Sequence, residues 1–123
     1  MHLSTLPGLY SVCKIPDTAS VNWSGELTFV GKTADELSLV CETALIPPNV
    51  LAREDGWRAL RVDGTLDFSL IGILSGITSV LAQAGVSVFC VSTYNTDYVL
   101  VKEERLPAAV TALKAAGYKL SPP

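Results

Sequence analysis

The chain has 123 residues, of which 49% are apolar and 17% charged, with a net charge of −3. Such a composition fills a core and excludes disorder as the main state. It carries no basic stripe interleaved with aromatics, which excludes nucleic acid as the expected partner.

The N-terminus, "MHLSTLPGLY", lacks a basic start followed by an apolar run, so no signal peptide is expected, and His2 is placed on a mobile end. "LYSVCKI" (9–15) has strand content between Gly8 and Pro16, and "PDTASVNW" reads as a loop or a single helical turn. "ELTFVG" and "DELSLVCE" form a hairpin with "KTA" near its turn. "ALIPPNVLAREDG" has adjacent prolines and no helical period, so it reads as irregular or as one short turn, and "WRALRVDG" as a strand closed by Gly64.

In the second half, Leu70, Ile73, Leu74, Ile77, Val80, Leu81 and Ala84 follow helical spacing. Ser69 or Asp67 can cap that helix and Gly85 can end it. The segment from Leu70 to Ala84 is apolar but shorter than the ~20 residues a membrane span needs, so a buried helix is expected and no membrane. "VSVFCV" is a strand, "STYNTD" a turn, and "YVLV" the partner strand. "LPAAVTALKAAG" is a second helix, with Pro107 in its first turn, Leu106, Val110 and Leu113 as its apolar stripe, and Gly117 as its stop. "YKL" is a candidate last strand.

Strand, helix, strand, strand, helix, strand is the split βαβ, or ferredoxin-like, pattern. The first half reads as a shortened copy with room for only a stub of helix between Ile15 and Glu26. Laying "FVGKTADELSLV" on "VSTYNTDYVLVK" pairs Asp35 with Asp97, an offset of 62. The expected fold is therefore α+β: two tandem ferredoxin-like units, the first degenerate (1–56) and the second complete (57–123), with antiparallel sheets and helices on one face.

In that topology the turn "STYNTD" and the start of the first helix lie at the same end of the sheet. A helix start exposes unpaired N–H groups and favours a carboxylate. Asp97 offers a negative charge, Thr93 and Thr96 offer hydroxyls, and Gly72 leaves room. One end for an anion and one for an ammonium describe an α-amino acid. The plainer alternatives are an Asp97 that serves its own turn, a Tyr94 that packs or meets a subunit, and an Asp35 that is structural.

No catalysis is read from the chain. His2 is its only histidine, no P-loop or GxGxxG occurs, and the adjacent carboxylates Asp35–Glu36 and Glu103–Glu104 point apart. Cys13, Cys41 and Cys90 show no CxxC spacing, so reduced, buried thiols in a cytoplasm are expected and neither a metal nor a cofactor.

"TADELSLVCE", and the stretch from "GWRALRVDG" through "STYNTDYVLVKEERLPAAVTALKAAGY", resemble a small ACT-domain family. They are similar to the regulatory ACT repeats of aspartokinases and of the animal cytosolic arginine sensor. The resemblance implies two packed ACT units with an amino-acid effector bound between them. Carried over by position, its contacts are Leu70, Ile71, Gly72 and Ile73, then Ser92, Thr93, Tyr94 and Asp97. The expectation is a non-catalytic, amino-acid-binding regulatory module, with a homodimer expected because partial helical cover leaves edges in need of a partner. The alternative is a structural or protein-interaction module without a small ligand. Asp97 separates the two: the first needs it open, the second needs it satisfied within its turn.

Overall fold

The chain opens with strand β1 (His2–Thr5), where the sequence suggests a mobile end. The computed structural model describes residues 1–64 and 71–123. These form two compact units, one of Gly8–Trp57, the other of Met1–Pro7 with Arg58–Pro123. The division falls inside a strand and not in a linker, and β1 counts with the C-terminal unit.

In Gly8–Trp57, β2 (Tyr10–Ile15), β3 (Phe29–Lys32), β4 (Leu37–Glu42) and the first part of β5 (Ala52–Val62) lie in the order β3-β4-β2-β5. Every pair is antiparallel. Alternation sends Cys13, Ile15, Leu39 and Cys41 to one face, where they form a core with Val21. Between β2 and β3 there is no helix. Asp17 Oδ1 accepts the Ala19 N–H and Asn22 Oδ1 accepts the Ser24 N–H, two local turns that hold the backbone away from a helical path.

The charged segment before Trp57 is a strand, contrary to its irregular appearance in sequence. Tyr10 faces Trp57 while Val12 faces Glu54, so β5 carries one extra residue there. Gly56 absorbs the resulting bulge at φ 85°.

The C-terminal unit holds the second part of β5, then α1 (Ile73–Gln83), β6 (Val88–Ser92), β7 (Asp97–Lys102), α2 (Leu106–Ala115) and β8 (Lys119–Ser121). Its strand order is β6-β7-β5-β1-β8. β1 is therefore inserted between the first and last strands of a ferredoxin-like unit, antiparallel to β5 and parallel to β8. Leu3, Leu60, Val62, Val99 and Val101 point to the face that receives Ile77 and Leu81 of α1 and Ala109 and Leu113 of α2.

Both helices end in the same way. The Gly85 and Val86 N–H groups bond Ala82 and Leu81 carbonyls, and Gly117 and Tyr118 do the same to Lys114 and Leu113. Gly85 (φ 73°) and Gly117 (φ 98°) supply the left-handed residue this stop requires. Among the described residues no helix is long and apolar enough to cross a membrane.

Candidate functional site

β6 and β7 pair in register from Val88↔Val101 to Ser92↔Asp97. Val101 and Val99 face the helix-covered core, so Asp97, two residues before Val99, continues their column. Cys90 packs against the same core, and Ser92 follows it onto that face. Asp97 and Ser92 thus form the polar end of an apolar surface.

The turn between these strands is closed by threonine. Thr93 N–H and Thr93 Oγ1 both bond the Thr96 carbonyl, at 2.8 and 2.9 Å, and Thr93 Oγ1 accepts the Thr96 N–H at 3.3 Å. Asp97 takes no part in this, and among the described residues its carboxylate has no hydrogen-bond or ion-pair partner. The Cys90 thiol is pushed up by burial and by the nearby Asp97 carboxylate. Tyr94 stands 80% exposed at the tip.

Thr96 does not offer its hydroxyl to a ligand, as its place in the sequence suggested. It is buried, and its Oγ1 donates to the Val62 carbonyl at 2.6 Å. That bond ties the hairpin tip to the C-terminal end of β5.

α1 hands over to β6 through four residues (84–87), so its C-terminus lies at the start of β6. Its N-terminus, eleven residues earlier and about 16 Å away, therefore lies at the end where the tip is. Tyr118 Oη sits 3.0 Å from the place a Cβ on Gly76 would take, in that first turn. Gly72 caps the helix in a left-handed conformation, φ 79°, and among the described residues no side-chain cap hydrogen bond is made there. A Cβ there would meet nothing within 4 Å. Ile71 is 94% exposed, whereas Ile73 packs against the core. Leu70, and the cap candidates Ser69 and Asp67, lie outside the described residues.

β5 ends in a polar cluster that sequence reasoning missed. Asp63 accepts from Ser4 Oγ at 2.7 Å and Arg61 Nε at 3.2 Å, and His2 Nε2 lies 3.8 Å away. Burial raises the Asp63 carboxyl, but the hydrogen bonds from Ser4 and Arg61 and the charge of Arg61 outweigh it and the net direction is down. His2 is held in this group, with Ser121 Oγ 2.6 Å from its Nε2. The only sequence signal is the alternation of polar residues in "HLST", too short to stand out.

The same hairpin in the first unit corrects the internal alignment. Thr33 N–H bonds the Glu36 carbonyl at 2.9 Å, and Thr33 Oγ1 accepts the Asp35 and Glu36 N–H groups at 3.1 Å. β4 and β7 then share one burial pattern, and each is followed at once by a 3-10 turn, Thr43–Leu45 and Glu103–Arg105. The offset is 60 and not 62. Thr33 matches Thr93, Glu36 matches Thr96, and Asp97 finds its counterpart in Leu37, which packs on the core of the first unit. Asp35 falls level with Asn95, exposed in the turn.

Clefts of about 270 and 280 Å³ also lie elsewhere among the described residues. One is lined in the first unit by Lys14, Glu36, Ser38 and Glu54, the other in the C-terminal unit by Thr5, Leu106, Val110 and Lys114.

Comparison with known proteins agrees with this architecture. A family profile described as "ACT domain" matches residues 52–115, just over half of the chain. The chain belongs to the ACT-domain family. It is 36% identical over 59 residues to the human and bovine proteins named cytosolic arginine sensor for mTORC1 subunit 1. That match covers 47% of this chain and 18% of the length of each relative, so the chain spans about a fifth of them. A crystal structure from Agobacterium tumefaciens superposes with a TM-score of 0.88 at 29% identity, over 99% of this chain and 92% of that one. Aspartokinase α and β subunits share the fold, with a TM-score of 0.63 at 14% identity over 94% of this chain and 97% of theirs. The fold is thus the mixed α+β arrangement of regulatory ACT domains, as the sequence implied.

Proposed function

We propose that the chain is a non-catalytic, cytoplasmic regulatory module that binds a free amino acid at the hairpin end of its C-terminal unit and works as a homodimer. The observation that carries this is Asp97. Its carboxylate stands on the helix-covered face without a partner among the described residues, because Thr93 already closes the turn. An acid with no partner among the described residues, at the end of the unit where a helix starts on a glycine, supplies both halves of a zwitterion site. Asp97 accepts the ammonium, and N–H groups around Ile71, Gly72 and Ile73 hold the carboxylate. Ser92, Thr93 and Tyr94 edge the site. The arginine in the name of the curated relatives supports an amino acid as the ligand class.

Ile71 and Tyr94, both strongly exposed at this end, favour a second reading, a protein-interaction surface with no small ligand. A thermal-shift screen of the twenty amino acids decides between them, since a ligand of the folded state raises its melting temperature. The first reading expects at least one amino acid to do so at millimolar concentration. If none does, the interaction surface is the better account.

A further inference from the structure

We infer that Thr96 is a positioning residue for the proposed amino-acid site, holding Asp97 in place by tying the start of β7 to the end of β5. The inference rests on the reading of that site given above.

Thr96 is only 6% exposed, and its hydroxyl bonds the carbonyl of Val62, 34 residues away in sequence. Val62 is the last residue of β5, and Asp63 and Gly64 after it begin the connection to Gly72 and α1. Asp97, the next residue after Thr96, begins β7. One short bond therefore joins the strand that carries the carboxylate to the end of β5. Both partners are held in turn. Thr96 is locked to Thr93 through its N–H and carbonyl, and the residue after Val62 gives its N–H to His2.

The duplicated unit provides a comparison within the same chain. Its turn has the same threonine and the same closure, so hairpin formation does not need the clip. At the place of Thr96 stands Glu36, exposed, its Oε1 accepting from Ser38 in its own strand. At the place of Asp97 stands Leu37, packed on the core. The clip and the carboxylate occur together in the C-terminal unit and are missing together from the first, as expected if the clip serves the carboxylate.

The test is a double-mutant cycle of Thr96→Val and Asp97→Asn. The probe is the amino acid giving the largest melting-temperature shift on the wild type, and binding is measured by calorimetric titration well below every melting temperature. Loss of one buried hydrogen bond should weaken binding about three- to tenfold in Thr96→Val. If Thr96 acts through Asp97, the double variant should bind no worse than Asp97→Asn within about twofold. Thr96→Ser, which keeps the hydroxyl, should bind several-fold more tightly than Thr96→Ala, and this pair decides the matter if Thr96→Val does not fold. A role in stability alone predicts lower melting temperatures with unchanged affinities, or losses that add in the double variant, and either result overturns the inference. If the wild type binds no amino acid, the site reading falls and this inference falls with it. If it binds and Thr96→Val and Thr96→Ala bind as tightly as the wild type, only this inference falls.

Discussion

An aspartate at the start of a strand usually serves its own turn, and here a threonine has taken that work. Thr93 contacts both the carbonyl and the N–H of Thr96, as Thr33 does with Glu36 in the other unit. Thr93→Val should therefore lower stability by about 0.5–1.5 kcal/mol, while Asp97→Asn should leave the urea midpoint unchanged. An Asp97→Asn midpoint as low as that of Thr93→Val would mean that the carboxylate holds the turn after all. The cysteines give a second expectation. Burial raises the Cys41 thiol from 9.0 to about 11, with smaller pushes from Cys13 and Glu42, and burial also raises Cys13. The folded state thus prefers the protonated thiol. That preference is fully present below the thiol's unfolded pKa and is lost as pH rises through the folded one, so Cys41 alone should remove about 2–3 kcal/mol between roughly pH 9 and 11. Urea denaturation across that range should show the fall, and Cys41→Ala should flatten it. A variant falling as steeply as the wild type would place the cause elsewhere. At this scale the sequence showed which residues were polar in the turn. It did not show which hydroxyl closes the turn and which is spent on β5, because that depends on a partner 34 residues away.

Among the elements, α1 and α2 were legible because their periodicity is strong and their stops are glycines, and the β6–β7 hairpin because two apolar runs flank a polar turn. β1 was not. Four residues ahead of a Pro-Gly pair carry too little alternation to separate a strand from a loose end, and only the slot between β5 and β8 makes "HLST" a strand. The first part of β5 was hidden for another reason. "REDG" is charged and contains glycine, and the bulge at Gly56 interrupts the period that would have marked it. β1 is part of the C-terminal core, since Leu3 is fully buried among Leu60, Val62 and the helices. Leu3→Ala should cost about 2–5 kcal/mol, read from the urea midpoint. A loss below about 1 kcal/mol would show β1 to be a dispensable appendage.

As a whole, the two units share a threonine-closed hairpin followed by a 3-10 turn, and they differ at the positions of the proposed site. The sequence suggests a repeat in register on Asp35 and Asp97, a match of one residue, whereas the two threonine-closed turns pair Thr33 with Thr93. Correcting the offset to 60 leaves the first unit with Leu37 in place of the carboxylate and with no helix between β2 and β3. The proposed site therefore occurs once per chain. The proposed homodimer should scatter light at twice the 13.1 kDa chain mass across micromolar concentrations, and a monomer throughout that range would remove it. The most direct test of the account is a calorimetric titration of the full chain with the amino acid that most raises its melting temperature. The account predicts one equivalent bound per chain, and an affinity about ten- to a hundredfold weaker in Asp97→Asn, since a charge-assisted hydrogen bond contributes roughly 1.5–3 kcal/mol. Two equivalents per chain, or full affinity in Asp97→Asn, would contradict it.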